Sequence, residues 1–379
     1  MECERIREGG TTLVVPVQDP CHHFPPASGR VFYNRRMEIN RDATILLLAQ
    51  VRPDMYLDVM GATGARGVRV GRELGIPVVI NDRDPEAAAL IRMNVQENAL
   101  ACEVLCGDAN VLMSLRRFDA IDVDPFGTPA PFIDAACRSA RRFLFVTATD
   151  TAPLCGAHLK AGMRRYAAVP RNSEYHAEVG LRVLLGFVAR EMVKYDRGIV
   201  PLWAFSHEHF HRLHLGVRSG VRAADETVEH LGHILQCPRC PFRTESAGLT
   251  PPQAGCPLCG APLVPVGPLW IGVLNDRDAL DGMLHLLPSY PLLGSAPALL
   301  TLLQVCREEL PVASFYDYHV LARRLRVSPP KIGEVIQAIV QAGFPATRTH
   351  FSGTGIKSTA PLPVIDHAIC TGSPVQERI

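Results

Sequence analysis

No long apolar run occurs in the chain. A membrane-spanning helix needs about 18 consecutive apolar residues, and the richest window, 286–305, is broken by Pro288, Pro291, Gly294 and Pro297. The opening residues, Met-Glu-Cys-Glu-Arg-Ile-Arg-Glu, are charged and have no apolar signal-peptide core. These absences predict a soluble, cytoplasmic protein. Net charge is also small, +1, so any nucleic-acid contact must use local basic patches, not a global positive field. Three patches qualify: Arg138, Arg141 and Arg142; Arg164, Arg165 and Arg171; Arg323, Arg324 and Arg326 with Lys331. A solvated helix face is the commoner role for any one of them. No Gly-x-Gly-x-x-Gly turn and no Walker lysine is present, which argues against a dinucleotide oxidoreductase or a nucleotide triphosphatase.

What is there is a globular composition: 379 residues, 47% hydrophobic and 20% charged. That length suits two or three domains. Residues 52–60 read as a strand opening into Gly61-Ala-Thr-Gly64-Ala-Arg66-Gly67, and a helix follows. Strand, glycine turn and helix form the first unit of a doubly wound sheet, whose ligands sit beyond the carboxyl ends of the strands. A second strand, 76–80, leads to Asp82, at the distance where an acid accepts from ribose hydroxyls in such folds. Asp84-Pro85-Glu86 supplies an N-cap, a first-turn proline and a first-turn acid for the next helix. A third strand, 103–105, precedes Asp108 and Ala109, an acid suited to an adenine amine and a backbone N–H suited to the ring nitrogen. The fourth delivers Asp122-Val-Asp124-Pro-Phe126-Gly127, and residues 143–149 complete five parallel strands. An acid at each of four strand ends fits S-adenosylmethionine as cofactor.

The hexapeptide 122–127 is similar to the Asp/Asn-Pro-Pro-Phe/Tyr motif of methyltransferases acting on planar amino groups. Such an amine is a poor nucleophile, so an acceptor must hold its N–H and localise the lone pair. Asp124 adjoins the proline and the aromatic and is favoured over Asp122. The alternative is a strand-end acidic turn that only caps a helix.

Cys237-x-x-Cys240 and Cys256-x-x-Cys259, fifteen residues apart, have zinc-ribbon spacing. Four thiolates leave no open position, so the expected zinc is structural. The other cysteines, of twelve in all, are scattered singly, as in a reducing compartment. His207, His209, His211 and His214 read as one sheet strand with a polar end rather than a second metal site. Residues 314–357 resemble a winged helix: a helix from Phe315 to Arg326, a second capped by Ser328-Pro-Pro-Lys with apolar Ile332, Val335, Ile336, Ile339 and Val340, and a hairpin wing at 349–357. This part suits nucleic-acid backbone binding, with protein docking as the alternative.

Further segments resemble one family, the tRNA (guanine-26 N2)-dimethyltransferases within class I methyltransferases. They are Val31-Phe-Tyr-Asn-Arg-Arg-Met37 with Asn40-Arg-Asp42, Thr147 to His158, Tyr316-Asp-Tyr-His319 with Arg323-Arg324, and Thr347 to Lys357. The likeness spans about 9–365 and departs at Arg35, where the family has proline. It implies transfer of one or two methyl groups from S-adenosylmethionine to the exocyclic N2 of guanosine 26 in tRNA. On this chain it implies Arg41, Arg66, Asp82, Asp108 and Ala109 as cofactor contacts, Asp124 as the catalytic acid, and Phe32 and Phe126 as a sandwich for the flipped guanine. Read without it, Phe32 suits a core position and Arg41 a surface ion pair.

The expected fold is therefore α/β: a Rossmann-like class I methyltransferase sheet, 1–230, an inserted zinc ribbon, 231–268, and a C-terminal α+β winged-helix-like tRNA-binding domain, 269–379. Rival functions are an amino-methyltransferase for another tRNA position, DNA or protein, and a non-catalytic zinc-ribbon nucleic-acid-binding protein.

Overall fold

The structure, a computed structural model, describes residues 2–17 and 31–371. A hairpin opens it, β1 (Cys3–Glu8) and β2 (Thr11–Pro16), and α1 (Glu38–Val51) enters the central layer. Strand–helix units follow: β3 (Tyr56–Asp58) with α2 (Ala65–Leu74), β4 (Val78–Asp82) with α3 (Pro85–Glu97), β5 (Glu103–Cys106) with α4 (Ala109–Leu115), and β6 (Phe118–Val123) with α5 (Ala130–Ser139). Then come β7 (Ala140–Ala148), α6 (Thr151–Leu154), α7 (Leu159–Tyr166) and α8 (His176–Val193), and a long hairpin, β8 (Arg197–His207) and β9 (Phe210–Ser219). One seven-stranded sheet results, ordered β5-β4-β3-β6-β7-β9-β8, parallel as far as β7 and antiparallel beyond it.

Both faces of the sheet are covered, as a parallel sheet requires. Alternate strand residues feed two cores: Leu57, Ile121 and Leu144 face α5 and α8, whereas Tyr56, Ala120 and Phe145 face α1 and α2. Strand order reverses between β3 and β6, and a crevice opens at their carboxyl ends.

Helix α9 (Val221–Glu229) leads to a three-stranded sheet of β10 (Leu231–Gln236), β11 (Arg243–Ala247) and β12 (Val264–Trp270). It is not a free module: Leu231, Ile234, Val266 and Trp270 share the core under α8. Next, α10 (Arg277–Leu286) and α11 (Ala296–Glu308) bury Leu280, Met283, Leu299 and Leu303 in the other core, against α1. The expected unit 269–379 thus divides, because these helices cover the sheet and only the following residues have a core of their own.

That last part comprises β13 (Tyr316–Asp317), α12 (Tyr318–Leu325), α13 (Ile332–Gln341), β14 (Ala346–Thr349), β15 (Ser352–Ser358) and α14 (Leu362–Thr371), with strand order β13-β15-β14. Three details differ from expectation. Residues 316–317 pair with β15, so the helix begins at Tyr318, capped by Asp317. The cap of α13 is Lys331, whose N–H meets the Glu334 carboxylate, not Ser328. Val340 points to solvent, 51% exposed.

The wing is turned inward. His350, at the β14–β15 turn, has Nδ1 2.6 Å from Glu309 and accepts at Nε2 from the Ser206 N–H. Lys357 Nζ donates to Glu178 on α8 at 2.7 Å. Glu178, Glu309, Arg182, Lys357 and His350 are nearly fully enclosed. Such groups persist in an interior only when paired, so they clasp the C-terminal part to the layers around the central sheet.

Candidate active site

The turn after β3 is built by close approach. Gly64 lies at φ +77°, a region that disfavours side chains, and a Cβ on Gly67 would stand 2.6 Å from Ile80 Cγ1. Ala62 also has positive φ, and its N–H is held by Asp82 Oδ2 at 2.8 Å. Gly67 donates its N–H to Asp58 Oδ2 at 3.0 Å. Burial pushes the Asp58 carboxyl up to about 7, against the pull of the Arg66 guanidinium.

A second turn faces it. Asp124-Pro125-Phe126-Gly127 leaves β6 with Gly127 at φ +94°, where only glycine is unstrained. Gly127 N–H donates to Thr149 Oγ1 at 2.9 Å, and Thr149 N–H donates back to the Gly127 carbonyl at 3.0 Å. Tyr166 of α7 donates to Asp150 at 2.6 Å and meets Thr128 Oγ1 at 2.8 Å. The Asp124–Gly127 turn is therefore braced from the segment after β7 and from α7. Between the two turns lies a cavity of about 320 Å³ lined by Asp58, Gly61, Ala62, Thr63, Arg66, Asp124, Pro125, Phe126, Thr149, Phe32, Asn34, Arg41 and His209.

Arg66 is bonded to Asp124 Oδ2 and also lies 3.6 Å from Asp122. Its Nη1 donates to Thr44 Oγ1 at 2.8 Å and to Asn40 Oδ1 at 3.2 Å. Asp122 is fully enclosed: Arg212 on β9 grips it at 2.5 and 2.8 Å, and Tyr56 donates to it at 2.8 Å. Burial raises the Asp122 carboxyl, but Arg212 and Arg66 overcome this and hold it far below the usual carboxylate range. The two acids thus divide. Asp122, held charged by Arg212 and Arg66, anchors Arg66, while Asp124 faces the cavity, and no group among the described residues hydrogen-bonds its Oδ1.

The other expected cofactor residues are placed unevenly. Arg41 lines the cavity, yet its guanidinium is already paired with Glu8 of β1 at 2.5 and 2.6 Å. Asp82 spends both oxygens on backbone N–H groups, Ala62 and Asp84, and Asp108 caps α4 through the Val111 N–H. Asp82, Asp108 and the buried Ala109 stand at the ends of β4 and β5, on the same sheet edge but outside the cavity lining.

Phe32 and Phe126 both line the cavity and touch each other edge to face, centroids 5.4 Å apart at 63°. A base held between parallel rings separates them by about 7 Å, two contact layers of ~3.5 Å. The rings as placed are closed on one another, and Phe126 is 76% exposed.

The histidine segment is a hairpin, not one strand: β8 ends at His207, Glu208 turns with φ +44°, and β9 starts at Phe210. The turn sets His209 into the cavity wall and leaves His211 and His214 buried in the sheet. No motif in the sequence marks Glu8, Arg212 or His209 as site residues.

In the ribbon, the four cysteines converge with all sulfurs within 4.8 Å of one another, Cys237–Cys259 at 3.4 Å and Cys240–Cys256 at 3.5 Å. Thiolates around a tetrahedral zinc at about 2.3 Å sit ~3.8 Å apart, so the cluster could hold a metal ion. The Arg239 N–H points at Cys237 Sγ, 3.4 Å away.

Comparison with known proteins agrees with this geometry. Residues 12–369 match the family model described as N2,N2-dimethylguanosine tRNA methyltransferase. A tRNA (guanine(26)-N(2))-dimethyltransferase of Methanoculleus marisnigri is 58% identical over 98% of this chain and all of its own. One of Methanoregula boonei is 59% identical over 97% of this chain and 98% of its own. Among solved structures, Trm1 from Pyrococcus horikoshii with S-adenosyl-L-methionine superposes with TM-score 0.87 at 37% identity, covering 97% of this chain and all of that one. The chain belongs to the N2,N2-dimethylguanosine tRNA methyltransferase family.

Proposed function

We infer that this protein methylates the exocyclic N2 of guanosine 26 in tRNA, adding one or two methyl groups. The observation that carries the reading is Asp124, held by Arg66 at one oxygen and open to the cavity at the other, in a turn that also presents Phe126. S-adenosylmethionine supplies an electrophilic methyl when bound. Asp58, Arg66 and the Gly61–Gly64 turn line its place, with Arg41, Asp82, Asp108 and Ala109 along the same edge as further contacts.

The chain's own contribution is positional and electrostatic. Guanine leaves its stack at a cost of a few kcal/mol. Phe32 and Phe126 part to admit it, and stacking returns about 1–3 kcal/mol per ring contact. Asp124 Oδ1 accepts an N2–H, orients the nitrogen lone pair, and takes the proton during or after transfer. Arg66 keeps the carboxylate turned into the cavity, and Asp122 keeps Arg66 in place. A tRNA substrate sets this work in the cytoplasm.

Labelled methyl transfer to an unmodified tRNA transcript tests the reading. The transcript should accept label, and one with inosine at position 26, which lacks N2, should accept none. Label on the inosine transcript would instead favour an amine at another position.

Zinc is the metal we assign to Cys237, Cys240, Cys256 and Cys259, in a structural role. The purified protein should contain one zinc per chain by elemental analysis. Cys256→Ser should lower its melting temperature by several degrees, because a ribbon with so little core of its own relies on the metal. A metal-free protein with unchanged melting would remove zinc from the account.

A further inference from the structure

Helix α7 carries an outer face that no intramolecular contact explains. Lys160 and Arg164 make no hydrogen bond or ion pair among the described residues, and the helix contains no acid. Arg165, their neighbour, is paired with Asp150 at 2.9 Å, and Tyr166 is buried. Leu159 and Met163, on the exposed side, are 42% and 49% open to solvent.

The electrostatics of this face run against helix stability. Lys160 lies in the first turn, where a cation opposes the helix dipole, whereas Arg164 and Arg165 in the last turn complement it. Lys160 and Arg164 are also like charges at i and i+4, a repulsive spacing. A local rule broken in two ways on an exposed surface points to a ligand of opposite charge.

Its position says which. Helix α7 follows β7 on the sheet edge that carries the cavity, and Tyr166 ties it to Thr128 and Asp150 beside the Asp124–Gly127 turn. The other basic patches lack one or both features. Arg138 is paired with Asp134, Arg142 with Asp119, and Arg324 with Asp366. The arginine-lined groove of Arg116, Arg117, Arg141 and Arg197 includes Ala140, the first residue of β7, and so sits at the opposite edge of the sheet.

We propose that the outer face of α7 docks the RNA backbone flanking the flipped nucleotide, with Lys160 and Arg164 on phosphates and Met163 against the adjoining sugar or base. This rests on the tRNA reading above and adds the surface that holds the strand. Through Tyr166, RNA docked there is kept in register with the turn that bears Asp124 and Phe126.

Direct tRNA binding by the full-length protein, measured across a salt series, tests it. Lys160→Glu with Arg164→Glu should weaken binding about tenfold or more, and the slope of log K against log salt should flatten by about 2, one unit per lost phosphate contact. The alanine pair should fall between, S-adenosylmethionine affinity should stay at the wild-type value, and the methylation loss should recover as tRNA is raised. Unchanged tRNA affinity and salt slope in both variants, with the methyl donor still bound, would overturn the proposal. Wild-type protein that transfers no methyl but binds tRNA, with the glutamate pair weakening that binding and flattening its salt slope, would instead contradict the functional reading and leave the surface supported.

Discussion

Asp124→Asn should lower the methylation rate about 10²- to 10⁴-fold, the usual worth of a positioned general base, with S-adenosylmethionine affinity within a few-fold of wild type. Asparagine fills the same space and still offers an oxygen to the N2–H, but it cannot take the proton. The variant should fold, because Arg66 keeps Asp122 at 3.6 Å and Thr44 at 2.8 Å. Single-turnover kinetics separates the chemical step from tRNA binding: the rate constant should fall at saturating tRNA and donor. A variant with wild-type turnover would move the proton-accepting role away from Asp124. Asp122 is not the natural heir, since it is fully enclosed and already gripped by Arg212 and Tyr56.

Arg212→Met should destabilise the protein by about 3 kcal/mol or more at neutral pH, because it leaves the Asp122 carboxylate enclosed without its main partner. In the wild-type fold the Asp122 carboxyl lies far below its ordinary value, so its pairing stabilises above roughly pH 4, the unfolded value, and is lost only in strong acid. Without Arg212, burial should instead raise that carboxyl. The deficit relative to wild type should then be largest at neutral pH and shrink as the pH falls toward 4 and the stranded group is protonated. Urea unfolding at pH 7 and pH 4.5 measures both values. A uniform deficit at the two pH values would mean that Arg212 acts through packing, not charge.

What could be read from the residues in order was the local part of the design. Repeated strand, turn and acid placed Asp58, Asp82, Asp108 and Asp124 on one edge, since parallel strands present their carboxyl ends together. Glycines 64 and 127 fall where the backbone needs positive φ, and the cysteine spacing foretold a cluster that forms. What could not be read is long-range. Glu8 reaches Arg41 and Arg69 across 33 and 61 residues, and Arg212 reaches Asp122 across 90. No periodicity in the chain announces such a partner. Lys357 finds Glu178 across 179 residues, which turns a hairpin that looks like an exposed wing into an inward clasp. The histidine segment misled because its alternation continues through a two-residue turn, so a hairpin looks like one strand.

The roles of Asp124, Arg66, Phe32 and Phe126 all presuppose a guanine N2 as the reacting amine. The most direct measurement is mass spectrometry of nucleosides, with position mapped by nuclease fragments, from an unmodified tRNA transcript incubated with the protein and S-adenosylmethionine. The account predicts N2-methylguanosine and N2,N2-dimethylguanosine at position 26. Methyl groups at any other atom or position, with guanosine 26 unmodified, would contradict it.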